Sequence, residues 1–207
     1  MRGEQHVFVV DDDAGVRDSI RMLLESDGLK VHCFASAGQF LSDLGPKIGC
    51  LIADIRMPDM SGLELQEEIV RRGIGLPANI ITGHGDVPLA VRAMKAGAVD
   101  FIEKPFDDER VLSSTRKALE IGAQTQSRLA ESKEASDLLA SLTPREKGVL
   151  ERLVQGRSNK AAAQELGISP RTVEIHRARI MDKLHAKNLS DLVRLALAAG
   201  IGRAGHS

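Results

Sequence analysis

The sequence predicts an α/β domain built on a doubly wound sheet of five parallel strands, followed by a small all-α domain of four helices. Over residues 5–120, short aliphatic runs alternate five times with segments of helical period, and beyond residue 141 every periodic segment is helical. Charge divides at the same place. Residues 1–140 hold 16 Lys and Arg against 23 Asp and Glu, a net charge of −7, and residues 141–207 hold 12 against 6, a net charge of +6.

The five predicted strands read HVFVV, LKVHCF, CLIADI, PANIIT and VDFIEKP. Continuous aliphatic strands separated by helices are typical of a parallel sheet that is covered by helices on both faces. The chain has 207 residues, which is enough for two domains, and its only aromatic residues are five Phe. Both cores are therefore expected to consist mainly of aliphatic side chains.

A polar, helix-forming stretch separates the two domains. We expect the α/β domain to span residues 1–121, a helical linker residues 122–141, and the all-α domain residues 142–207. Gly122 and the Gln, Ser and Thr residues after it are expected to be the weakest place in the linker. Thr143 is expected to cap the next helix, with Pro144 in the first turn and Glu146 completing a capping box.

Composition limits the classes of protein that the chain can belong to. Cys33 and Cys50 fit neither a metal-binding spacing nor a disulfide framework, which is typical of a reducing compartment. No apolar stretch approaches the ~20 residues needed to cross a bilayer, and the start has no signal-peptide apolar run. We therefore expect a cytoplasmic protein with no membrane partner. The basic C-terminal domain favours contact with nucleic acid.

Acidic residues stand at the ends of two predicted strands. Asp11, Asp12 and Asp13 follow the first strand, and Asp54 ends the third. The carboxyl ends of parallel strands meet at one edge of the sheet, where ligands bind. Because neighbouring carboxylates repel one another, such a cluster favours a bound cation, and Mg²⁺ prefers oxygen ligands and few carboxylates. The sequence therefore predicts a Mg²⁺ site at this edge.

A hydroxyl and an amine follow the remaining strands of this edge: Thr82 ends the fourth strand, and Lys104 and Pro105 follow the fifth. Acids, a hydroxyl and an amine on different strand ends are typical of phosphoryl transfer. We expect Asp54 to be the nucleophile that becomes an acyl phosphate, with Thr82 and Lys104 bonding the phosphate oxygens. The expected Mg²⁺ ligands are Asp11, Asp12, Asp54 and the main-chain carbonyl of Arg56.

These motifs resemble the receiver domain of two-component response regulators, which has a flavodoxin-like fold. The matching pieces are VVDDD, DIRMPDMSGLEL, ITGHGD and DFIEKPF, so the likeness covers the first ~120 residues. The resemblance implies that Phe101 is the aromatic switch residue and that the Lys104–Pro105 bond is cis. It also implies that Arg56 and His84 tune the rate at which the phosphate is lost.

The segment SNKAAAQELGISPRTVEIHRARIMDKLH predicts two helices on either side of Gly167, a helix-turn-helix pattern. Val173, Ile180 and Leu184 recur at helical spacing and are expected to face the core of the domain. The second helix would then present its other residues to the DNA major groove. The expected DNA contacts are Lys160, Arg171, Thr172, Glu174, Ile175, Arg177, Ala178, Arg179 and Lys183.

This domain resembles the C-terminal domain of LuxR- and NarL-type regulators, on the motifs LTPRE, GRSNKAAAQELGIS, RTVEIH and MDKL. The joint architecture resembles the FixJ group of response regulators. The resemblance implies a sensor histidine kinase as phosphodonor, a homodimer on phosphorylation, promoter DNA and RNA polymerase as partners, and activation of transcription. It leaves open whether the targets are nitrogen-fixation or microaerobic genes or belong to another regulon of this group. It also leaves open whether the unphosphorylated receiver masks the basic domain or holds it monomeric.

Two other functions fit an α/β domain with acidic strand ends. A phosphatase that uses an aspartyl phosphate needs a separate general acid, and Arg56 stands two residues after Asp54. A nucleotide sensor needs a Gly-rich loop that cradles phosphate, and GHGD at residues 83–86 is too short for that. We therefore expect a regulator and no enzyme. Turnover of a phosphorylated substrate would favour the first alternative, and tight nucleotide binding the second.

Overall fold

The computed structural model describes residues 5–43, 48–83, 85 and 87–202. The chain forms two compact units, Met1–Gln126 and Ser127–Ser207, and the division falls within a single helix. The first unit contains a five-stranded sheet, and the second is built from helices. Both predicted fold classes are therefore confirmed.

The sheet of the first unit is parallel throughout, in the order β2-β1-β3-β4-β5. The strands are β1 (His6–Val10), β2 (Lys30–Phe34), β3 (Gly49–Asp54), β4 (Ala78–Thr82) and β5 (Asp100–Glu103). The chain leaves β1 toward one side of the sheet and returns to its other side as β3. The carboxyl ends of β1 and β3 therefore flank the point where the strand order reverses, which is where such sheets bind ligands.

Helices connect the strands and make up the second unit. In the described part of the chain they are α1 (Ala14–Ser26), α2 (Ala37–Ser42), α3 (Gly62–Arg71), α4 (Val87–Lys95), α5 (Asp108–Ala140), α6 (Pro144–Val154), α7 (Asn159–Leu166), α8 (Pro170–Lys183) and α9 (Leu189–Ala198). None of these helices is both long enough and apolar enough to cross a lipid bilayer.

The side chains of each central strand alternate between two cores. Phe8 and Val10 pack in one core with Phe40 and Leu65, residues of α2 and α3. Val7 and Val9 of the same strand lie in the other core, which contains residues of α1 and α5. Because successive side chains of a strand point to opposite faces, helices cover both faces of the sheet. The acidic strand ends are thereby held on a rigid support.

Gly122 does not interrupt α5, which is one continuous helix over Asp108–Ala140. The residue is buried within a continuous helix, and a Cβ atom added there would lie 2.5 Å from the carbonyl oxygen of Gly49. A glycine at this position lets the helix approach the start of β3 closely. The boundary between the two compact units instead follows Gln126, inside the polar cluster after Gly122.

The second unit has one aliphatic core, which includes Val149 and Leu150 of α6, Ile180 of α8 and Leu192 of α9. Leu139, at the end of α5, is buried in the same core, so the last turns of that helix belong to this unit. The structure has the expected capping box at the start of α6. The Thr143 hydroxyl accepts a hydrogen bond from the Glu146 amide, and the Glu146 carboxylate accepts one from the Thr143 amide.

Candidate functional site

The ends of β1, β3 and β5 form an acidic pocket around one lysine. The Lys104 Nζ atom lies 2.7 Å from Asp54 Oδ1 and 2.8 Å from Asp11 Oδ2, and it donates a hydrogen bond to each carboxylate. Asp54 is 6% exposed and Asp11 is 2% exposed. One half-buried cation therefore lies between two buried anions, and the pair of aspartates exceeds the charge of the lysine by one.

Local backbone contacts aim both carboxylates. The Arg56 amide donates to Asp54 Oδ2 at 2.6 Å, and the Asp13 amide donates to Asp11 Oδ1 at 2.9 Å. Asp13 itself caps α1 by accepting hydrogen bonds from the first turn. The oxygen of each buried aspartate that does not contact Lys104 is thus held by a main-chain N–H group.

Arg17 of α1 also contacts the loop of the pocket, and the sequence analysis did not predict this contact. Its Nη1 atom donates to the carbonyl oxygen of Asp11 at 2.7 Å and to that of Asp12 at 3.0 Å. The guanidinium therefore fixes the loop that carries two of the expected metal ligands. Only the fold shows this contact, because an arginine that bonds main-chain oxygens leaves no pattern in the residue types.

The electrostatics of the pocket oppose two charged aspartates. Burial raises the pKa of the Asp11 carboxyl above its ordinary value, although the hydrogen bond from Lys104 lowers it. Burial lowers the pKa of Lys104, but the hydrogen bonds with Asp11 and Asp54 outweigh that effect and raise its pKa above the ordinary value. Lys104 therefore stays charged, and the pocket favours further positive charge.

The other expected receiver residues lie around this pocket. Thr82 is buried at the end of β4, and its carbonyl oxygen accepts a hydrogen bond from the Lys104 amide at 2.7 Å. Phe101 is half-buried against the core that contains α3. The Lys104–Pro105 bond is cis, as the resemblance implies. His84 lies outside the described residues.

The pocket fits a small divalent cation. Asp11 and Asp54 already hold one cation between them, and the Arg56 main chain lies beside Asp54. Asp12 is exposed, and in the described part of the chain no three His, Cys, Asp or Glu side chains converge as a ready-made metal site. Two carboxylates, a carbonyl group and water suit Mg²⁺, which keeps several waters and needs few protein ligands.

In the second unit, α7 and α8 form a helix-turn-helix. Ser158 and Ser169 cap the two helices, and Gly167, with a φ of +66°, ends α7 in the left-handed conformation. The left-handed conformation favours glycine, because glycine has no Cβ atom. On α8, Val173 and Ile180 are buried, so the inward seam that the sequence predicts is confirmed.

Most of the expected DNA contacts lie on the outer surface of α8. Ile175 is a large apolar side chain that is 47% exposed. Thr172 and Arg177 are half-buried, and the Thr172 hydroxyl shares a hydrogen bond of 2.8 Å with that of Ser169. The exposed residues of the expected set are Lys160, Arg171, Glu174, Ile175, Ala178 and Arg179.

Lys183, the last of the expected DNA contacts, is paired inside the domain. Its Nζ atom lies 2.8 Å from Glu146 Oε2. The hydrogen bond from Lys183, together with those from Thr143, lowers the pKa of the buried Glu146 to about 2. The contact joins the start of α6 to the end of α8 and gives Lys183 a structural role that the sequence analysis did not anticipate.

Comparisons with known proteins agree with both domains. Residues 7–116 match the family model of the response regulator receiver domain, and residues 140–196 match that of the bacterial regulatory proteins of the luxR family. The chain belongs to the response regulator family. The receiver carries the acidic pocket, and the luxR-type domain carries the helix-turn-helix. Response regulators that carry a luxR-type DNA-binding domain are a family of transcription factors rather than enzymes.

The similarity of this regulator to its relatives covers nearly the full chain. It is 46% identical to the transcriptional regulatory protein FixJ of Bradyrhizobium diazoefficiens, over 97% of this chain and 98% of that protein. It is 44% identical to the response regulator protein TodT of Pseudomonas putida, over 91% of this chain and 84% of that protein. The solved structure of the response regulator StyR matches with a TM-score of 0.78 and 43% identity, over 94% of this chain and 99% of that chain.

Proposed function

We propose that this regulator accepts a phosphoryl group on Asp54 from a sensor histidine kinase, dimerises and binds promoter DNA. The observation that carries the proposal is the Lys104 ammonium between Asp11 and Asp54 at the carboxyl end of the sheet. A nearly buried carboxylate with a fixed cation and a nearby acidic partner is suited to gain a phosphoryl group with the help of a divalent ion.

In the chemical step, Asp54 attacks the phosphorus atom of the donor. A bond forms between a carboxylate oxygen of Asp54 and phosphorus, and the phosphorus–nitrogen bond to the kinase histidine breaks with its electrons returning to that imidazole. Asp54 Oδ1 contacts Lys104 and Oδ2 contacts the Arg56 amide, so the carboxylate is oriented before transfer. Lys104 is then placed to bond a phosphate oxygen, and Thr82 to donate its hydroxyl to another.

Mg²⁺ would be held by Asp11, Asp12, Asp54 and the main-chain carbonyl of Arg56. Bound there, it would neutralise the negative charge of the transferring group. Arg17 holds the loop that carries Asp11 and Asp12 in place through its two carbonyl contacts. The residues of the chain thus supply the ligands and their orientation.

Phosphorylation would change the charge at Asp54 from −1 to about −2, which would draw Thr82 and Lys104 toward the phosphate and change the face formed by α4, β5 and the first turns of α5. That face carries large exposed apolar residues on α4. Val87 is 77% exposed and Met94 is 50% exposed, and Val91 of the same helix is also exposed. We propose that this surface is buried between two receivers in the phosphorylated dimer.

The DNA-binding step would place one α8 in the major groove of each half-site, with the half-sites about one helical turn apart. Arg171 and Arg179 are exposed on this helix and available to phosphates and base edges. We propose that the dimer activates transcription by recruiting RNA polymerase to the promoter.

Duplexes selected from a random library by the phosphorylated full-length regulator would provide the DNA for a test. Arg171→Gln and Arg179→Gln should each lower the slope of log affinity against log salt concentration by about 1 if the residue contacts a phosphate. Lys133→Gln, which removes an exposed cation of α5, is the control and should leave the slope unchanged. An unchanged slope in both arginine variants would contradict the proposed placement of α8.

A further inference from the structure

Two histidines meet at the end of the sheet opposite the acidic pocket. His6 begins β1, and His32 lies in the middle of the edge strand β2. The His6 Nδ1 atom lies 2.9 Å from His32 Nε2, and the ring centroids are 5.1 Å apart. A ring nitrogen of each histidine therefore faces a ring nitrogen of the other. Such an arrangement requires a hydrogen bond between the two nitrogens or a cation that both of them bind.

Aromatic packing holds both imidazoles in place. Phe8 stacks on His32 with ring centroids 5.4 Å apart and on His6 at 6.5 Å. Phe40 meets Phe8 edge to face at 5.9 Å and Phe34 at 5.4 Å. Three of the five phenylalanines of the chain thus support one pair of histidines. Rings that are fixed by packing lose little freedom when they bind a ligand.

We propose that His6 and His32 form a binding site for a divalent transition metal ion such as Ni²⁺ or Zn²⁺. Metal–imidazole bonds are about 2.0–2.1 Å long, so two nitrogens on one ion lie about 2.9 Å apart at a right angle and about 3.4 Å apart at the tetrahedral angle. The observed separation of 2.9 Å lies at the lower end of this range. Small rotations of the rings would turn both lone pairs toward the ion, and water would fill the remaining positions.

This site is distinct from the proposed Mg²⁺ site in both position and chemistry. His6 and Asp11 lie at opposite ends of β1, about 16 Å apart at the rise of about 3.3 Å per residue. Imidazole nitrogen favours Ni²⁺, Cu²⁺ and Zn²⁺, whereas Mg²⁺ favours oxygen ligands. A metal at His6 and His32 would join β1 to the edge strand β2 and stabilise the folded receiver by mass action.

The test is calorimetric titration of Ni²⁺, and separately of Zn²⁺, into full-length protein without a purification tag. Wild type should bind one equivalent. His6→Gln and His32→Gln should each weaken binding at least about tenfold, because each leaves a single imidazole ligand. His185→Asn removes an exposed histidine of the other unit and serves as the matched control with wild-type affinity. Mg²⁺ should not compete at this site.

A second measurement needs no variant. Because protons compete with metal ions for imidazole nitrogen, the wild-type affinity should fall at least about tenfold between about pH 7.5 and about pH 5.5. Equal affinity in wild type and both histidine variants, pH-independent binding, or no saturable binding by wild type would each overturn the proposal.

Discussion

Each unit of the regulator has a buried acid paired with a lysine, and the two arrangements differ in their balance of charge. In the receiver, Lys104 forms ion pairs with two buried aspartates, and burial raises the pKa of Asp11. In the luxR-type domain, Lys183 forms an ion pair with one acid, Glu146, whose pKa falls to about 2. The receiver site disfavours the negative charge of Asp11, whereas the negative charge of Glu146 stabilises the luxR-type domain.

This difference separates a site for chemistry from a site for stability. A pocket with one anion in excess gains free energy when a divalent cation enters, so it can respond to a ligand. A balanced pair with capping hydrogen bonds has nothing further to gain from a ligand and fixes two helices instead. The surplus of charge, rather than burial alone, identifies the functional pocket.

Removal of a charge from the acidic pocket should have the largest effect on ligand binding. Asp11→Asn should weaken Mg²⁺ binding by at least about 100-fold. The loss of an outer contact costs about 10- to 100-fold in metal affinity, and the loss of a direct ligand should cost more. Without Mg²⁺ the variant receiver should be at least as stable as wild type, because the raised pKa shows that the fold disfavours the charged Asp11. Calorimetry and thermal unfolding in the presence of a chelator measure the two quantities.

Destabilisation of the metal-free receiver by Asp11→Asn would contradict the proposed difference between the receiver pocket and the Glu146–Lys183 pair. Such a result would mean that the Asp11–Lys104 contact is mainly structural. Asp12→Asn is the matched control for stability, because Asp12 is an exposed acid of the same loop. It should leave the metal-free stability close to that of wild type.

Lys183→Met should destabilise the luxR-type domain by about 2 kcal/mol. Breaking a fully buried pair costs about 3–5 kcal/mol, and the partial exposure of the Lys183 side chain reduces that figure. Protected amides of α6 and α8 should then exchange about 30-fold faster with deuterium. The exposed Lys187→Met is the control, and wild-type exchange in Lys183→Met would show that the pair does not hold the helices.

Arg17→Gln should weaken Mg²⁺ binding about tenfold, because the loop that carries Asp11 and Asp12 would lose its two carbonyl contacts. Arg21→Gln removes a cation one turn further along α1 that pairs with the exposed Asp18. It should retain wild-type affinity and so controls for net charge. Equal losses of affinity in the two variants would point to a general charge effect instead of positioning.

Acid should also destabilise the luxR-type domain. The folded-state pKa of Glu146, about 2, lies below the ordinary value of 4.5. Its charge therefore stabilises the luxR-type domain above about pH 4.5, and this contribution is lost as the pH falls toward about 2. Acid titration of deuterium exchange in α6 should show this loss in wild type and not in Glu146→Gln. The same slope in both proteins would rule out Glu146 as its source.

Sequence patterns predicted the features that depend on local periodicity. Strand ends of a parallel sheet must meet at one edge, so Asp54 and Lys104 could be placed together although 50 residues separate them. Capping residues likewise predicted the start of α6, and apolar spacing predicted the inward seam of α8. Each of these features follows from a rule that refers to one helix or to one edge of the sheet.

The contacts that the sequence did not predict depend on how elements cross. The crossing of α6 and α8 brings Lys183, one of the expected DNA contacts, to Glu146, 37 residues away. Arg17 reaches carbonyl groups, which every residue carries. Gly122 was interpreted as a weak point, but it lies where α5 passes close to the backbone of β3. None of these contacts is visible in periodicity or in residue type.

The most direct test of the account is the intact mass of the full-length protein after incubation with Mg²⁺ and acetyl phosphate, combined with sizing by light scattering. Wild type should gain one phosphoryl group and form a dimer, and Asp54→Asn should do neither. Asp59→Asn, which removes an exposed acid five residues further on, should behave as wild type. An adduct that persists in Asp54→Asn, or a folded wild type that gains none, would contradict the assignment of Asp54 as the phosphoryl acceptor.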